Sequence, residues 1–353
     1  MFRALLLILA MTLVSACSQG PPKKRVVVYT PFPQLTAIAL AEAFEAKYPH
    51  IEVEQVMEGT TKVYGRIKAE RENPRADVWY GAAGMIPFID ATREGLLEPY
   101  IPKGYEGMGE RRGNLLLRDK DWHWMGMSVI GLGFAFNPQV VPPEQAPKTW
   151  NDFIDPRWKG KIEMWDPSSS GTAMLFLNAA LLRAIQEDKG EEAGWDYLKA
   201  FWVNLKGYTK EGKPAFSVAR GEVELGIHFE HQVLEFLEEQ TAGLDLGEQR
   251  ENIRWVLPPD SPITVDPIAL VKGCKNPEEA KLFIDFVVGK EGQAIVNRLF
   301  FTIDPSFPPP KGLKGLTYDE FISRAMRLEP DWMAEHLEPI KKRWQNEVEE
   351  IDK

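Results

Sequence analysis

Apolar and polar positions along this chain switch repeatedly between a two-residue and a three-to-four-residue period. RVVVYTP, at residues 25–31, is a β-branched run stopped by proline and predicts a buried strand. The following LTAIALAEAFEAKYP sets Leu35, Ile38, Ala39, Ala43 and Phe44 at helical spacing, and residues 50–56 alternate as a second strand. KVYGRIKAERE predicts a helix, ADVWYGAA a strand and MIPFIDATREG a further helix. This alternation predicts an α/β fold whose mostly parallel sheet is covered by helices on both faces.

Two longer extended stretches interrupt the pattern, GMSVIGLGFAF ending at Phe136 and TVDPIALVKG from Thr264 to Gly273. They predict two strands that join two lobes. The residues between them then form an inserted α/β lobe containing the strand KIEMW, the helix after DPSSSG, and GEVELGIHFEHQ. From Asn276 onward the pattern is helical, ending in a polar final helix.

The first residues, MFRALLLILAMTLVSAC, carry one early cation and an apolar stretch from Ala4 to Val14. As a helix that stretch reaches only about 17 Å against a hydrocarbon core of about 30 Å, so it predicts a signal peptide (residues 1–16) and not a membrane span. The ending Val14-Ser15-Ala16-Cys17 resembles the bacterial lipobox, which predicts lipidation at Cys17, with residues 17–24 as a tether to the membrane. The chain has two cysteines, so lipidation of Cys17 leaves Cys274 without a disulfide partner. The rest exceeds the roughly 250–300 residues at which single cores stop growing, which favours two domains. Net charge is −10 with no long basic run, an unfavourable balance for nucleic acid.

In sheets of this kind ligands sit beyond the carboxyl ends of strands, so the candidate loops are 29–32, 59–61 and 81–84. In the inserted lobe DPSSSGTA lies at a strand-to-helix junction. A helix start leaves backbone N–H groups unpaired and carries a partial positive charge. Ser168, Ser169, Ser170 and Thr172 add hydroxyl donors, and Gly171 admits close approach, an arrangement suited to an oxyanion. The same octapeptide also reads as a capped helix with surplus serines. His228, Glu230 and His231 lie where another strand runs into a helix; they are metal ligands, polar residues of a cleft, or ordinary strand-end surface. Trp79, Tyr80, Trp122, Trp124 and Trp165 fall near strand ends, where rings serve as cleft walls or as core. No nucleophile-elbow, zinc-protease, P-loop or dinucleotide motif occurs, and Ser170 has no base supplied nearby, so an enzyme, in particular a lipid-anchored hydrolase, is disfavoured.

RVVVYTPFP, LAEAFEAKYPHIEVE, GTTKVYGRIKAERENPRADVWYGAA, GLLEPY, DPSSSGTA, ARGEVELGI and DPIALVKGCKNPEEAKLFIDFVVGKEGQ, in that order, resemble the extracellular solute-binding proteins of ABC importers. The resemblance is to the branch with ferric-ion, hexose-phosphate and aminoethylphosphonate binders. It implies a two-lobed periplasmic-binding-protein fold (type II) with two crossover hinge strands. It further implies an extracytoplasmic monomer that closes on a small solute, needs no cofactor and delivers the solute to a permease. The lobes expected are 25–128 plus 265–310 and the inserted 129–264, with the C-terminal helices of 311–353 assigned to neither. Ferric binders of the family carry adjacent tyrosines where this chain has His228-Phe229, which disfavours a tyrosinate iron site. The small hydroxylic loops match the organophosphate-type relatives, which implies an anionic solute, phosphorylated or a phosphonate. The expected ligand-binding residues are Tyr29, Thr30, Gly59, Thr60, Thr61, Ala82 and Ala83 in the first lobe. In the inserted lobe they are Trp165, Ser168, Ser169, Ser170, Gly171, Thr172, His228 and Glu230, with Asp266 on the second connector. The alternative metal set is His228, Glu230 and His231.

Overall fold

A computed structural model describes residues 23–81, 84–209, 214–239, 252–313 and 315–351. The signal peptide, Cys17 and nearly all of the tether, together with Ala82 and Ala83, lie outside the described residues. No helix among those described is long and apolar enough to cross a membrane.

The first lobe begins β1 (Lys24–Thr30), α1 (Gln34–Lys47), β2 (Ile51–Met57), α2 (Thr60–Ala69), β3 (Val78–Tyr80), α3 (Ile86–Arg93) and β4 (Leu97–Glu98). A small hairpin of β5 (Arg111–Arg112) and β6 (Leu115–Leu116) precedes the long β7 (Met125–Phe136). Then come β8 (Ile162–Met164), α4 (Gly171–Gln186), α5 (Glu191–Asn204), β9 (Leu205–Tyr208), α6 (Pro214–Ala219), β10 (Leu225–Phe229), α7 (Glu230–Glu239) and β11 (Arg254–Val256). The chain returns through β12 (Ile263–Val271) to α8 (Pro277–Val288), α9 (Lys290–Val296) and β13 (Phe301–Thr302), and ends in α10 (Tyr318–Ser323) and α11 (Pro330–Arg343).

The main sheet runs β2-β1-β3-β12-β7-β10-β8-β9. The outer trios β2-β1-β3 and β10-β8-β9 are parallel, while β7 and β12 run antiparallel to each other and to their neighbours. The first part of β7 pairs with β12, and residues 132–136 pair with β10. On the other side β12 passes from β7 to β3, with a bulge between Asp266 and Pro267. Proline has no N–H to give the ladder, so the register shifts there. The antiparallel pair β7 and β12 thus lies between the two parallel trios, the type II two-lobed architecture. All twelve residues of β7 and all nine of β12 are buried, which explains why both are apolar except at Ser128, Thr264 and Asp266.

In α1 the buried face is Thr36, Ala37, Leu40, Ala41 and Phe44, while Leu35 is 52% exposed. Apolar residues surround this helix, so spacing alone does not select the face. Phe44 decides it, packing edge-on against Phe283 and Phe286 of α8. In α4 twelve residues are buried, and the hydroxyl-rich start gives way to a core helix. Full burial of each Leu or Phe there is worth about 2–3 kcal/mol.

The final helix lies across the two lobes. At its start Asp331 accepts a 2.7 Å hydrogen bond from Arg93 of α3; at its end Arg343 donates two of 2.7 Å to Glu192 of α5. Trp344, fully buried, donates to the Tyr208 hydroxyl at 2.6 Å and meets Trp202 edge-on.

Candidate functional site

Two helices, α2 after β2 in one lobe and α4 after β8 in the other, begin on the same cleft. That cleft, about 350 Å³, is lined by Thr60 and Thr61 of α2 and by Ser168, Ser169, Ser170 and Gly171 at the start of α4. Gly84, Met85 and Ile86 line it at the start of α3, and Thr264 of β12 lies between the lobes.

Local sequence explains how these groups are presented. Asp166 folds the serine loop: its carboxylate accepts from Ser168 N at 2.7 Å and its carbonyl from Ser169 N and Ser170 N. Ser170, in extended backbone geometry, is the N-cap, its Oγ accepting from Ala173 N at 3.4 Å. One serine caps the helix. The amides of Gly171 and Thr172 have no acceptor among the described residues, nor has the Ser168 hydroxyl a partner there. The cap of α2 is Gly59, which has no side chain to offer, and Thr60 N and Thr61 N are likewise without an acceptor among the described residues. Two positive helix ends, one from each lobe, face one opening.

The other walls are apolar and charged. Met174, Leu175, Leu328, Met333, Ala334 and Leu337 form the apolar part. Lys68, Asp90, Glu94, Glu338 and Lys341 bring charge. Lys68 is held by Glu94 at 2.6 Å. Burial pushes the Asp90 carboxyl above its ordinary range, against the pull of Arg93.

Of the residues expected from sequence, Thr60, Thr61, Ser168, Ser169, Ser170 and Gly171 line this cleft; Ala82 and Ala83 lie outside the described residues, and the remaining described ones are not in its lining. Gly59 and Thr172 are one residue outside the lining on α2 and α4, and Thr172 is buried. Tyr29 points along β1 toward the end of α2, its hydroxyl donating to Glu70 at 3.0 Å; burial first and Glu70 second push its phenol up to about 12. Thr30 is fully buried and its Oγ1 accepts from Phe32 N. Trp165 is half-buried at the end of β8 and does not line the cleft. Asp266 lies beneath the cleft floor, accepting from Gly84 N at 3.2 Å.

His228 and Glu230 are fully buried. The His228 ring lies against Gly226 and Val218, on the side of β10 packed by α6. Burial pulls its pKa down to about 4, with Gln232 opposing. Glu230 accepts from Gly131 N of β7 at 2.8 Å through Oε2, while Oε1 has no partner. Burial above all, and the nearby Asp266, hold that carboxyl well above its ordinary value. His231 stacks between Phe229 and Phe300. The alternative metal set therefore does not converge: among the described residues the group that brings ligand atoms together is Asp119, Asp121 and His123, half-buried to exposed. There Asp119 Oδ2 accepts from Asp121 N, His123 N and His123 Nδ1, which closes a tight turn around Trp122 at φ 64°.

Sequence reasoning missed Lys68, Asp90, Glu94, Glu338 and Lys341. Each is an ordinary polar position on or at the end of a helix, and only the placement of α2, α3 and α11 against the cleft distinguishes it. The signal present in the sequence was the apolar spacing of Met333 and Leu337 beside Glu338 and Lys341 on one helix face.

Comparison with known proteins settles what kind of protein carries this cleft. Residues 74–324 match the family described as bacterial extracellular solute-binding protein. The chain belongs to this family. This solute-binding protein is 32% identical over 282 residues to an uncharacterized protein of Haemophilus influenzae, covering 77% of this chain and 75% of that one. It is 27% identical over 274 residues to the major ferric iron-binding protein of Neisseria meningitidis, covering 77% and 78%. The periplasmic binding protein AfuA from Actinobacillus pleuropneumoniae, solved with exogenous fructose-6-phosphate bound, superposes with a TM-score of 0.74 at 27% identity, over 93% of this chain and all of that one. The molecule is thus a periplasmic solute-binding protein of an ABC importer.

Proposed function

We propose that this solute-binding protein captures a small anionic solute, a phosphorylated compound, a phosphonate or a similar oxyanion. The observation that carries this reading is the convergence of two helix starts, α2 from one lobe and α4 from the other, on one cleft, with amide donors at Thr60, Thr61, Gly171 and Thr172. An anion at that point touches both lobes at once. It favours the closed arrangement by the difference in its affinity for the closed and open states, and β7 and β12 absorb the rotation. The lobes in this reading are 25–128 with 265–310, and 129–264, with 311–353 lying across them. Cys17 carries lipid that holds the monomer on the outer face of a membrane, and the protein catalyses no reaction. The fructose-6-phosphate bound by AfuA supports an oxyanion; the iron of the Neisseria protein is the competing class.

Calorimetry with inorganic phosphate, fructose 6-phosphate, 2-aminoethylphosphonate and ferric citrate tests this. Saturable binding of a phosphate or phosphonate, weakened at least tenfold by Ser170→Asp through like-charge repulsion at the helix start, is the expected result. Uptake of iron alone overturns it.

A further inference from the structure

One wall of the cleft is supplied by the C-terminal helix α11. Met333, Ala334, Leu337, Glu338 and Lys341 all line it, at the one-, three- and four-residue steps that make one face of α11. This helix is fastened to both sides, to α3 through Arg93 and Asp331 and to α5 through Arg343 and Glu192. Its end also lies on the serine side of the cleft. Trp344 donates to Tyr208, Tyr208 pairs in register with Met164 at the end of β8, and the serine loop begins two residues later at Asp166.

The two lysines of the lining differ in their commitments. The Lys68 ammonium is 2.6 Å from Glu94 and lies over the Tyr64 ring at 5.2 Å. Lys341, half-buried, makes no hydrogen bond or ion pair among the described residues. Glu338, one turn earlier, does not pair with it, and the remaining lining charges are Asp90 and Glu94. A half-buried ammonium lining the same cleft as two helix starts with spare amides is suited to an oxyanion that the amides alone cannot neutralise.

We propose that Lys341 is the cation that pairs with the anionic group of the solute, so that α11 is a third wall of the binding site and sets its preference for charge. The proposal rests on the anionic-solute reading above. The solute's oxyanion is then held by α2 from the first lobe, α4 from the inserted lobe and Lys341 from the helix strapped across them. A neutral analogue loses the third contact and with it much of the drive to close.

The test is calorimetry of the full chain, wild type and Lys341→Ala, Lys341→Glu and Lys341→Arg, against inorganic phosphate, fructose 6-phosphate, 2-aminoethylphosphonate and citrate at two salt concentrations. Wild type is expected to bind at least one of them. Lys341→Ala weakens that binding about tenfold or more, Lys341→Glu further, and Lys341→Arg restores it to within about threefold. The salt dependence becomes shallower in Lys341→Ala, a change that a purely structural role for the lysine does not produce. Thermal melts show whether each variant is folded. Wild-type binding left unchanged by Lys341→Ala overturns the role of Lys341 and leaves the anionic reading standing. Wild type that binds none of the four anions overturns both.

Discussion

Arg343, in the last turn of α11, grips Glu192, in the first turn of α5, through two parallel hydrogen bonds of 2.7 Å. The guanidinium also lies 4.5 Å over the Trp195 ring and bonds Glu347. Both charges suit their helix ends, an acid at a start and a base at a finish. The pair binds the C-terminal strap to the inserted lobe, as Arg93 and Asp331 bind it to the first.

Arg343→Ala is therefore expected to loosen the end of α11 without unfolding the lobes. Backbone hydrogen exchange of residues 340–348 should rise while that of β7 and β12 stays slow. Lys does not replace it, because the planar fork and the ring contact are both lost. The Glu192 carboxyl is held below its ordinary range chiefly by its hydrogen bond from Arg343. Its contribution is thus present at neutral pH and lost as pH falls through that lowered value. Unaltered exchange in this segment of the variant contradicts the docking role.

Asp77, fully buried at the start of the β3 segment, accepts from Val27 N at 2.8 Å, from Lys275 N and Asn276 N at 3.0 Å, and from Asn276 Nδ2 at 2.9 Å. One carboxylate thus joins β1 to the turn after β12. Asp77→Ala leaves those donors buried and is expected to cost about 3 kcal/mol, read as a lower urea midpoint at unchanged slope. Asp77→Asn, which keeps one acceptor oxygen, should lose less. Equal midpoints in wild type and Asp77→Ala refute the assignment.

The hinge strands were legible in the sequence because a strand buried on both faces is apolar at nearly every position, as 125–136 and 263–271 are apart from Ser128, Thr264 and Asp266. The serine loop was legible for a local reason as well, since helix starts advertise themselves through hydroxyls. Tyr29 and Thr30 sit at a strand end as expected, yet their polar atoms turn to Glu70 and Phe32 N; which way a strand-end side chain faces depends on the helix packed over it. His228 and Glu230 carried the strongest chemical signal in the inserted lobe and proved to be buried against the sheet. Lys341 carried only its place beside the Met333 and Leu337 face, because a lysine on a polar helix gains meaning only from where the helix docks.

The burial of His228 sets a pH dependence. The imidazole titrates near 6.5 in the unfolded chain and at about 4 when folded. Between those values the unfolded state takes up a proton that the native state refuses, so stability falls as pH drops from about 6.5 to about 4. At about 1.4 kcal/mol per pH unit this is on the order of 3 kcal/mol. Glu230 acts in the opposite sense: its raised folded value favours the native state at low pH and loses that contribution as pH rises above the unfolded value of 4.5. Melts between pH 4 and 7 should therefore show a shallower slope for His228→Gln and a steeper net gain of stability with pH for Glu230→Gln. Parallel curves for wild type and His228→Gln contradict the first.

Two glycines should respond to the same added methyl in opposite directions. At Gly133, in β7, a Cβ would stand 2.2 Å from the Val256 carbonyl oxygen and 2.8 Å from the Trp255 ring. The obstacle is backbone, so β11 must move away from β7, and the hydrogen bond from Trp255 Nε1 to the His228 carbonyl moves with it. Overpacking of this kind costs about 1–3 kcal/mol. At Gly65, inside α2, nothing lies within 4 Å of the added Cβ. There alanine only removes backbone freedom from the unfolded chain and improves helix propensity, a gain of about 0.5–1 kcal/mol. Gly133→Ala is accordingly expected to lower the melting temperature and Gly65→Ala to raise it. A stabilised Gly133→Ala would mean that β11 is not packed on the crossover strand, and the hydrogen bond from Trp255 Nε1 to the His228 carbonyl would then be lost as well.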